Sequence, residues 1–147
     1  MPFSRPLAAA LIAVSCLTGA PAFAQKAEDY LGYCPDEDNV RKAQYEETCD
    51  ELQKLFRKQF PKAMRGDYAS QRNVAFWLGM GNKGPAIIQN KITACAWRFV
   101  IIASGDPEVG PGDTMNLKHD CGKQLDDVER AAAQGQANAL IVEIWRR

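Results

Sequence analysis

Few residues in this chain have the types and spacing that chemistry requires, and the single histidine is the first of them. His119 stands in the run His119-Asp120-Cys121. A zinc site needs three or four protein ligands, and no second histidine can contribute one. A Ser-His-Asp triad would have to use His119 as its base, but the sequence has no G-x-S-x-G nucleophile elbow. We therefore expect a solvent-facing histidine beside a structural cystine, with no metal and no cofactor.

Pairs of carboxylates are the second feature that could carry chemistry. They occur at Glu46-Glu47, Asp50-Glu51 and Asp126-Asp127. Glycoside hydrolysis needs two carboxyl groups about 5–10 Å apart in a cleft, with one of them in an apolar setting. These pairs are interleaved with lysine and arginine, which is typical of solvated helix faces. An envelope hydrolase or lytic-enzyme accessory is accordingly the enzymatic alternative, and a non-enzymatic protein is favoured.

The first 24 residues have the pattern of a secretory signal peptide. Arg5 precedes an apolar run from Leu7 to Leu17, and Ala22-Phe23-Ala24 has the small-x-small form that signal peptidase accepts. The rival interpretation is a lipoprotein signal ending at Cys16, but the residues before Cys16 lack the usual leucine. We expect cleavage near Ala24 and a destination in the periplasm or outside the cell.

Residues 25–147 would then form one mature domain, long enough for a modest core. Without Arg5 the mature chain has 17 basic and 18 acidic residues, a net charge of about −1. The basic residues are mixed with acidic ones and form no stripe, which disfavours nucleic-acid binding. No second apolar stretch is long enough for a membrane helix, so we expect no membrane span in the mature chain.

Four cysteines remain after the signal peptide: Cys34, Cys49, Cys95 and Cys121. An even number in an exported chain favours two disulfides, for which three connectivities are possible. If a helix ending near Ser104 and a helix beginning near Asp113 form a hairpin, Cys95 and Cys121 lie nine and eight residues from the connecting loop. With a rise of about 1.5 Å per residue they reach nearly the same height, which predicts their bond. Cys34 would pair with Cys49 by elimination.

Apolar residues recur at helical spacing through most of the mature chain, which predicts an all-α fold of antiparallel helical hairpins. Five helices are expected, separated by glycine and proline turns: one ending near Phe60 because Pro61 follows, then Ser70–Met80, Ile92–Ala103, a short helix capped by Asp113 or Thr114, and Asp127–Trp145. The third is apolar nearly all round and should be central. In the last, inward positions are predicted for Val128, Ala131, Leu140, Ile141 and Ile144.

Two of these helices resemble one repeat of the Sel-one-like family, which is related to the tetratricopeptide repeats. Residues 70–81 match the family pattern A-Q-x-N-L-G-x-x-Y-x-x-G, with Ala75 in place of a glycine. The pattern of the second helix, D-x-x-x-A-x-x-W-x-x-x-A-A-x-x-G, is matched by Asn90, Ala94, Trp97, Ile101, Ile102 and Gly105, with isoleucines in place of two alanines. The resemblance covers residues 70–105 and implies a helical hairpin of a kind that binds proteins or peptides.

The expected binding residues are two members of the aromatic cluster of this hairpin and the two arginines that flank the cluster. They are Arg72, Phe76, Trp77 and Arg98, which would line a groove between paired helices. The resulting hypothesis is a periplasmic, non-catalytic module that binds a protein or peptide of the cell envelope. A small inhibitor of a secreted enzyme is the remaining alternative.

Overall fold

Helices make up most of the residues that the structure describes. The structure is a computed structural model that describes residues 25–34, 49–80 and 86–146, so the predicted signal peptide and the beginning of the first predicted helix lie outside the described residues. Within the described ranges there are five α-helices: α1 (Cys49–Ala63), α2 (Tyr68–Met80), α3 (Lys91–Ala103), α4 (Pro111–Leu117) and α5 (Asp127–Trp145). They pack as antiparallel hairpins, which confirms the all-α prediction.

A short N-terminal segment is fastened to the helices through backbone and side-chain hydrogen bonds. A 3-10 helix at Ala27–Tyr30 leads into an isolated antiparallel bridge between Leu31 and Ile87. The amide of Gln53 in α1 donates to two carbonyl oxygens of this bridge region, at 2.7 and 3.1 Å. Because Gln53 is itself buried, the two bonds satisfy an amide group that would otherwise be costly to bury.

Helix α1 continues past Pro61 to Ala63, so the prediction that it ends near Phe60 was wrong by three residues. Proline disfavours the helical conformation of the residue before it, but this preference is weak against the burial of Phe60 and Ala63 in the core. The turn that follows the helix includes Gly66, whose φ of 89° is a left-handed conformation that favours glycine.

Helices α2 and α3 begin at side chains that cap them. The Asp67 carboxylate accepts from the Ser70 amide at 2.8 Å, and the Asn90 side chain accepts from the Thr93 amide at 2.9 Å. Helix α3 is central, as predicted, because it packs against α2, α4 and α5 and is buried from Thr93 to Arg98.

The C-terminal part differs from the prediction at the start of α4. This helix begins at Pro111 rather than at a cap on Asp113 or Thr114, and it continues as a π-helical segment, Lys118–Lys123. Helix α5 has the predicted bounds, with Asp126 as its cap. Two inward positions were wrong: Val128 and Ala131 are exposed, since the turns before residue 133 extend beyond the core.

Both predicted disulfides are present. The Cα atoms of Cys34 and Cys49 are 5.7 Å apart, and those of Cys95 and Cys121 are 5.1 Å apart. The second bond joins α3 to the π-helical segment, as the hairpin geometry predicted. Among the described helices, none combines the length and apolar character that crossing a membrane requires.

Candidate functional site

The outward side of α2 presents three side chains in line: Arg72, Phe76 and Met80, which we call the α2 outer row. Residues four apart lie one above the other on a helix, so these three share one stripe. Phe76 is 49% exposed and Met80 is 60% exposed, although both are large and apolar. The inward stripe of the same helix, by contrast, has Val74, Ala75 and Leu78 fully buried.

Trp77 does not belong to this row, although the sequence placed it beside Phe76 in the binding set. It is half-buried and packs against the core, with its ring centroid 6.0 Å from that of Phe56. A residue one position along a helix is rotated by about 100°, so neighbours in sequence face different surroundings. Trp77 therefore packs toward α1 and is not part of the row.

Arg98 was also expected to line a groove, and the structure places it in the interior instead. Its side chain is 6% exposed, and its Nε donates to the Asp120 carboxylate at 2.7 Å. The other oxygen of this carboxylate lies 2.9 Å from His119 Nδ1. Arg98 thus fastens α3 to the π-helical segment, while His119 faces solvent beside the disulfide as predicted.

Arg72 is held in position by a second carboxylate. Its Nε lies 3.1 Å from Oδ1 of Asp113 in α4, and its guanidinium carbon lies 5.6 Å from the ring centroid of Tyr68. The Arg72 side chain is half exposed, whereas Asp113 is buried. The Nε–H of Arg72 does not point at Oδ1 of Asp113, so this contact is an ion pair without a hydrogen bond. Oδ1 of Asp113 accepts no hydrogen bond from the described residues.

The other oxygen of Asp113 accepts two hydrogen bonds. Tyr68 donates its hydroxyl proton from 2.7 Å, and the Gly110 amide donates from 3.1 Å. The Tyr68 hydroxyl also lies 2.9 Å from the Glu108 carbonyl oxygen, but its single proton favours the charged acceptor. The hydrogen bond to Asp113, with burial as the second cause, raises the pKa of Tyr68 above its usual 10.0.

The pKa of Asp113 is shifted in the opposite direction. Burial acts to raise it, but the hydrogen bonds from Tyr68 and Gly110 and the positive charges of Arg72 and Arg98 act to lower it. These favourable interactions outweigh the burial, so the pKa lies below the usual 3.8. Asp113 is therefore a buried carboxylate that stays ionised at neutral pH.

These contacts show how α2 lies relative to α4 and the π-helical segment. Arg72 contacts Asp113. Seven residues further along both segments, Gly79 lies close to Asp120. A Cβ added to Gly79 would lie 3.7 Å from an oxygen of the Asp120 carboxylate. The two segments therefore run in the same direction, and both pack against α3. The α2 outer row lies along this side of the molecule.

Asp126 and Asp127, a predicted carboxylate pair, have structural roles. Asp126 caps α5 by accepting from the Glu129 amide at 2.8 Å, and Asp127 pairs with Arg130 at the surface. The predicted pair Glu46-Glu47 lies outside the described residues. Among the residues that are described, no group of three or more histidine, cysteine or acidic side chains could hold a metal ion. The hydrolase alternative stays a prediction.

Sequence reasoning missed Met80, Tyr68 and Asp120 as members of this region. Met80 had a signal, since it follows Phe76 by one helical turn. Tyr68 and Asp120 had none, because their partners are 45 and 22 residues away in the chain.

In comparisons with known proteins, no family model, no curated protein and no solved structure matches the chain. The resemblance to the Sel-one-like repeats therefore stays a prediction. The structure adds that the two segments carrying it, α2 and α3, do pack against each other as a helix pair.

Proposed function

We propose that this protein is an exported, non-catalytic module that binds a protein or peptide in the cell envelope. Export would follow cleavage near Ala24, with the mature protein in the periplasm or outside the cell. Two disulfides support this assignment, since such bonds form and persist in oxidising compartments.

The observation that carries the proposal is the α2 outer row. Phe76 and Met80 are exposed on one stripe of a well-packed helix, next to Arg72. Aromatic residues, methionine and arginine are the types enriched at the centre of protein interfaces. Arg72 is already held by Asp113, so ordering it on binding would cost little conformational entropy. The row is short, and it fits a single helix or a short peptide of the partner.

The row is tested by changing it without changing the core. The full chain is produced with a C-terminal tag in an exporting bacterium, as wild type, as Phe76→Asp with Met80→Asp, and as Val128→Asp. Val128 is 78% exposed on α5, which makes it a matched apolar-to-acidic control away from the row. We expect the wild type and the control to recover the same envelope protein, and the double variant to recover about tenfold less, equivalent to about 1.4 kcal/mol of binding free energy.

The binding must then be reproduced with the recovered protein in pure form. We expect the double variant to raise the Kd of that complex by about tenfold or more, while circular dichroism shows an unchanged helix content. Equal affinity of the wild type and the double variant, or recovery of no envelope protein by the wild type, would contradict the proposal.

A small inhibitor of a secreted enzyme is a narrower second candidate, and the same exposed apolar row favours it. The pure protein would be titrated into extracts assayed for peptidoglycan and peptide hydrolysis. An inhibitor lowers one activity with a stoichiometric end point, and the double variant moves that end point to higher concentration. Activities unchanged by saturating wild-type protein would rule this candidate out for the enzymes assayed.

A further inference from the structure

Helix α5 is apolar on two opposite sides, of which one is packed and the other is exposed. The packed side lies against α3 and has four buried residues: Ala133, Ala137, Leu140 and Ile144. The opposite side, which we call the α5 outer face, has six exposed residues three or four positions apart: Val128, Ala131, Gly135, Asn138, Val142 and Trp145. A Cβ added at Gly135 would meet nothing within 4 Å, so this side is open.

The α5 outer face lacks the charges that a solvated helix face carries. Residues 131–142 include no aspartate, glutamate, lysine or arginine, although these types make up 24% of the whole chain. A surface helix normally has charged side chains opposite its buried stripe. Here Val128 is 78% exposed, Val142 is 42% exposed and Trp145 is 43% exposed. The face therefore has the composition of a contact surface.

We propose that the α5 outer face binds the same face of a second copy of this chain, with the two helices antiparallel. A two-fold symmetric contact uses one self-complementary surface on both copies. In the register that places Val128 opposite Trp145 of the second copy, Ala131 lies opposite Val142 and Gly135 lies opposite Asn138. The smallest side chains are then in the middle, where they let the helix axes approach to about 8 Å. The larger ones close the two ends.

The charges at the two ends of α5 favour this orientation. Asp127 is the first residue of the helix and is 95% exposed even with Arg130 as its partner, and Arg146 directly follows the last residue and is exposed. In the antiparallel register, Asp127 of each copy lies at the level of Arg146 of the other, so opposite charges meet twice. A parallel pair would bring Asp127 beside Asp127 and Arg146 beside Arg146. The antiparallel pair also opposes the two helix dipoles.

The area of the contact fits a weak dimer. Helix α5 has 19 residues, and a helix of that length is about 28 Å long and about 10–12 Å wide. Facing copies therefore bury on the order of 500 Å² each and roughly 1,000 Å² in total, which is the lower limit for a specific interface. We expect a Kd on the order of 10 µM. The α2 outer row belongs to another helix, so failure of the dimer leaves the proposed function intact.

The test measures the mass of the full chain, exported and processed by the cell, by sedimentation velocity at concentrations from about 1 to about 200 µM. We expect the wild type to pass from monomer to dimer over this range. Ala131→Glu places a charge against Val142 of the second copy and should raise the dimer Kd by about tenfold or more. Met115→Glu is the matched control, since Met115 is 70% exposed on α4, and it should keep the wild-type Kd. Circular dichroism should show the same helix content in all three proteins.

Exchanging the end charges tests the orientation. Asp127→Arg and Arg146→Asp each bring like charges together in an antiparallel dimer, so each variant alone should have a Kd about threefold or more above that of the wild type. Mixed in equal amounts, the two variants should return to the wild-type Kd, because every end contact then joins opposite charges. In a parallel dimer the wild type already has like charges together. Single variants that dimerise as tightly as the wild type, or a mixture no tighter than either variant, would overturn the antiparallel register.

Other results would overturn the dimer itself. These are a wild type that stays monomeric at about 200 µM, an Ala131→Glu variant with the wild-type Kd, and a Met115→Glu variant weakened as much as Ala131→Glu. A monomeric wild type that recovers an envelope protein which Ala131→Glu does not recover would assign the α5 outer face to that protein, and it too would overturn the second copy as the occupant.

Discussion

Replacing Asp113 by asparagine tests whether one buried carboxylate holds α2 beside α4. Asparagine has nearly the same shape, so the substitution removes the charge and leaves the packing. The amide oxygen can still accept from Tyr68 and from the Gly110 amide, which now donate at 2.7 and 3.1 Å. The amide NH2 group must then face Arg72, where the ion pair was.

The expected loss follows from these changes. A hydrogen bond to a charged group is worth about 1.5–3 kcal/mol and a neutral one about 1 kcal/mol, so the bond from Tyr68 weakens by about 1 kcal/mol. The ion pair with Arg72 is half exposed and contributes a few tenths of a kcal/mol after screening by solvent. We expect Asp113→Asn to lower the free energy of unfolding by about 1–2 kcal/mol. Asp113→Ala, which also removes both acceptors, should cost about 2–4 kcal/mol.

Urea unfolding followed by circular dichroism measures these losses, and their pH dependence identifies the carboxylate. Because the pKa of Asp113 is lowered in the folded state, its stabilisation is complete above the unfolded value of 3.8 and is lost as pH falls through the folded pKa. The wild type and Asp113→Asn should therefore differ equally at pH 7 and pH 5, and should converge below pH 4.

The matched control is Asp127→Asn, since Asp127 is 95% exposed and pairs with Arg130 at the surface. We expect the free energy of unfolding of this control to equal that of the wild type within error. A loss at Asp127 as large as that at Asp113 would refute the reasoning. So would an Asp113→Asn variant as stable as the wild type at pH 7.

Four further changes probe the helices and the contacts between them. Replacing both Cys95 and Cys121 by serine should lower the free energy of unfolding by about 2–4 kcal/mol in urea titrations, and a smaller loss than about 1 kcal/mol would contradict a stabilising role. Gly135→Ala should raise the free energy of unfolding by up to about 1 kcal/mol, because alanine favours a helix over glycine and nothing lies within 4 Å of the new Cβ. Gly79→Ala should not raise stability, because its new Cβ would lie 3.3 Å from the methyl group of Ala94 in α3. Equal stabilisation by Gly79→Ala and Gly135→Ala would contradict the close packing of α2 on α3 at Gly79. Arg98→Met should cost about 3 kcal/mol by removing the arginine partner of the largely buried Asp120 carboxylate, and a loss below about 1 kcal/mol in the same titrations would contradict that role.

The elements with local signals could be predicted from sequence. Asn90 and Asp126 each have a short polar side chain that accepts from an amide three residues later, so the starts of α3 and α5 depend only on neighbouring residues. At Pro61, by contrast, the local sequence signal gives the wrong end for α1. Its preference against a preceding helix is real, but the burial of Phe60 and Ala63, which depends on distant residues, outweighs it.

The candidate site could be predicted only where a helical stripe defines it. Arg72 and Phe76 lie four residues apart on α2, and both are exposed as expected. Arg98 was misplaced because α3 is apolar nearly all round, so its own sequence does not show which side faces α4 and which side faces solvent. The answer depends on Asp120, which is 22 residues away and reaches Arg98 only when the hairpin closes.

The charged residues that sequence reasoning could not place also explain why the α2 outer row could bind. Asp113 fixes the Arg72 end of the row from α4. Toward the other end, Gly79 leaves room for α3 and for the Asp120 carboxylate to approach α2 closely. Helix α2 is thus fixed by the ion pair at Arg72 and by close packing at Gly79, and a rigid helix loses little entropy when a partner covers it. Asp113→Asn should therefore weaken partner binding even though Asp113 is too buried to touch the partner. The outer row and the buried ion pairs would then form one functional unit.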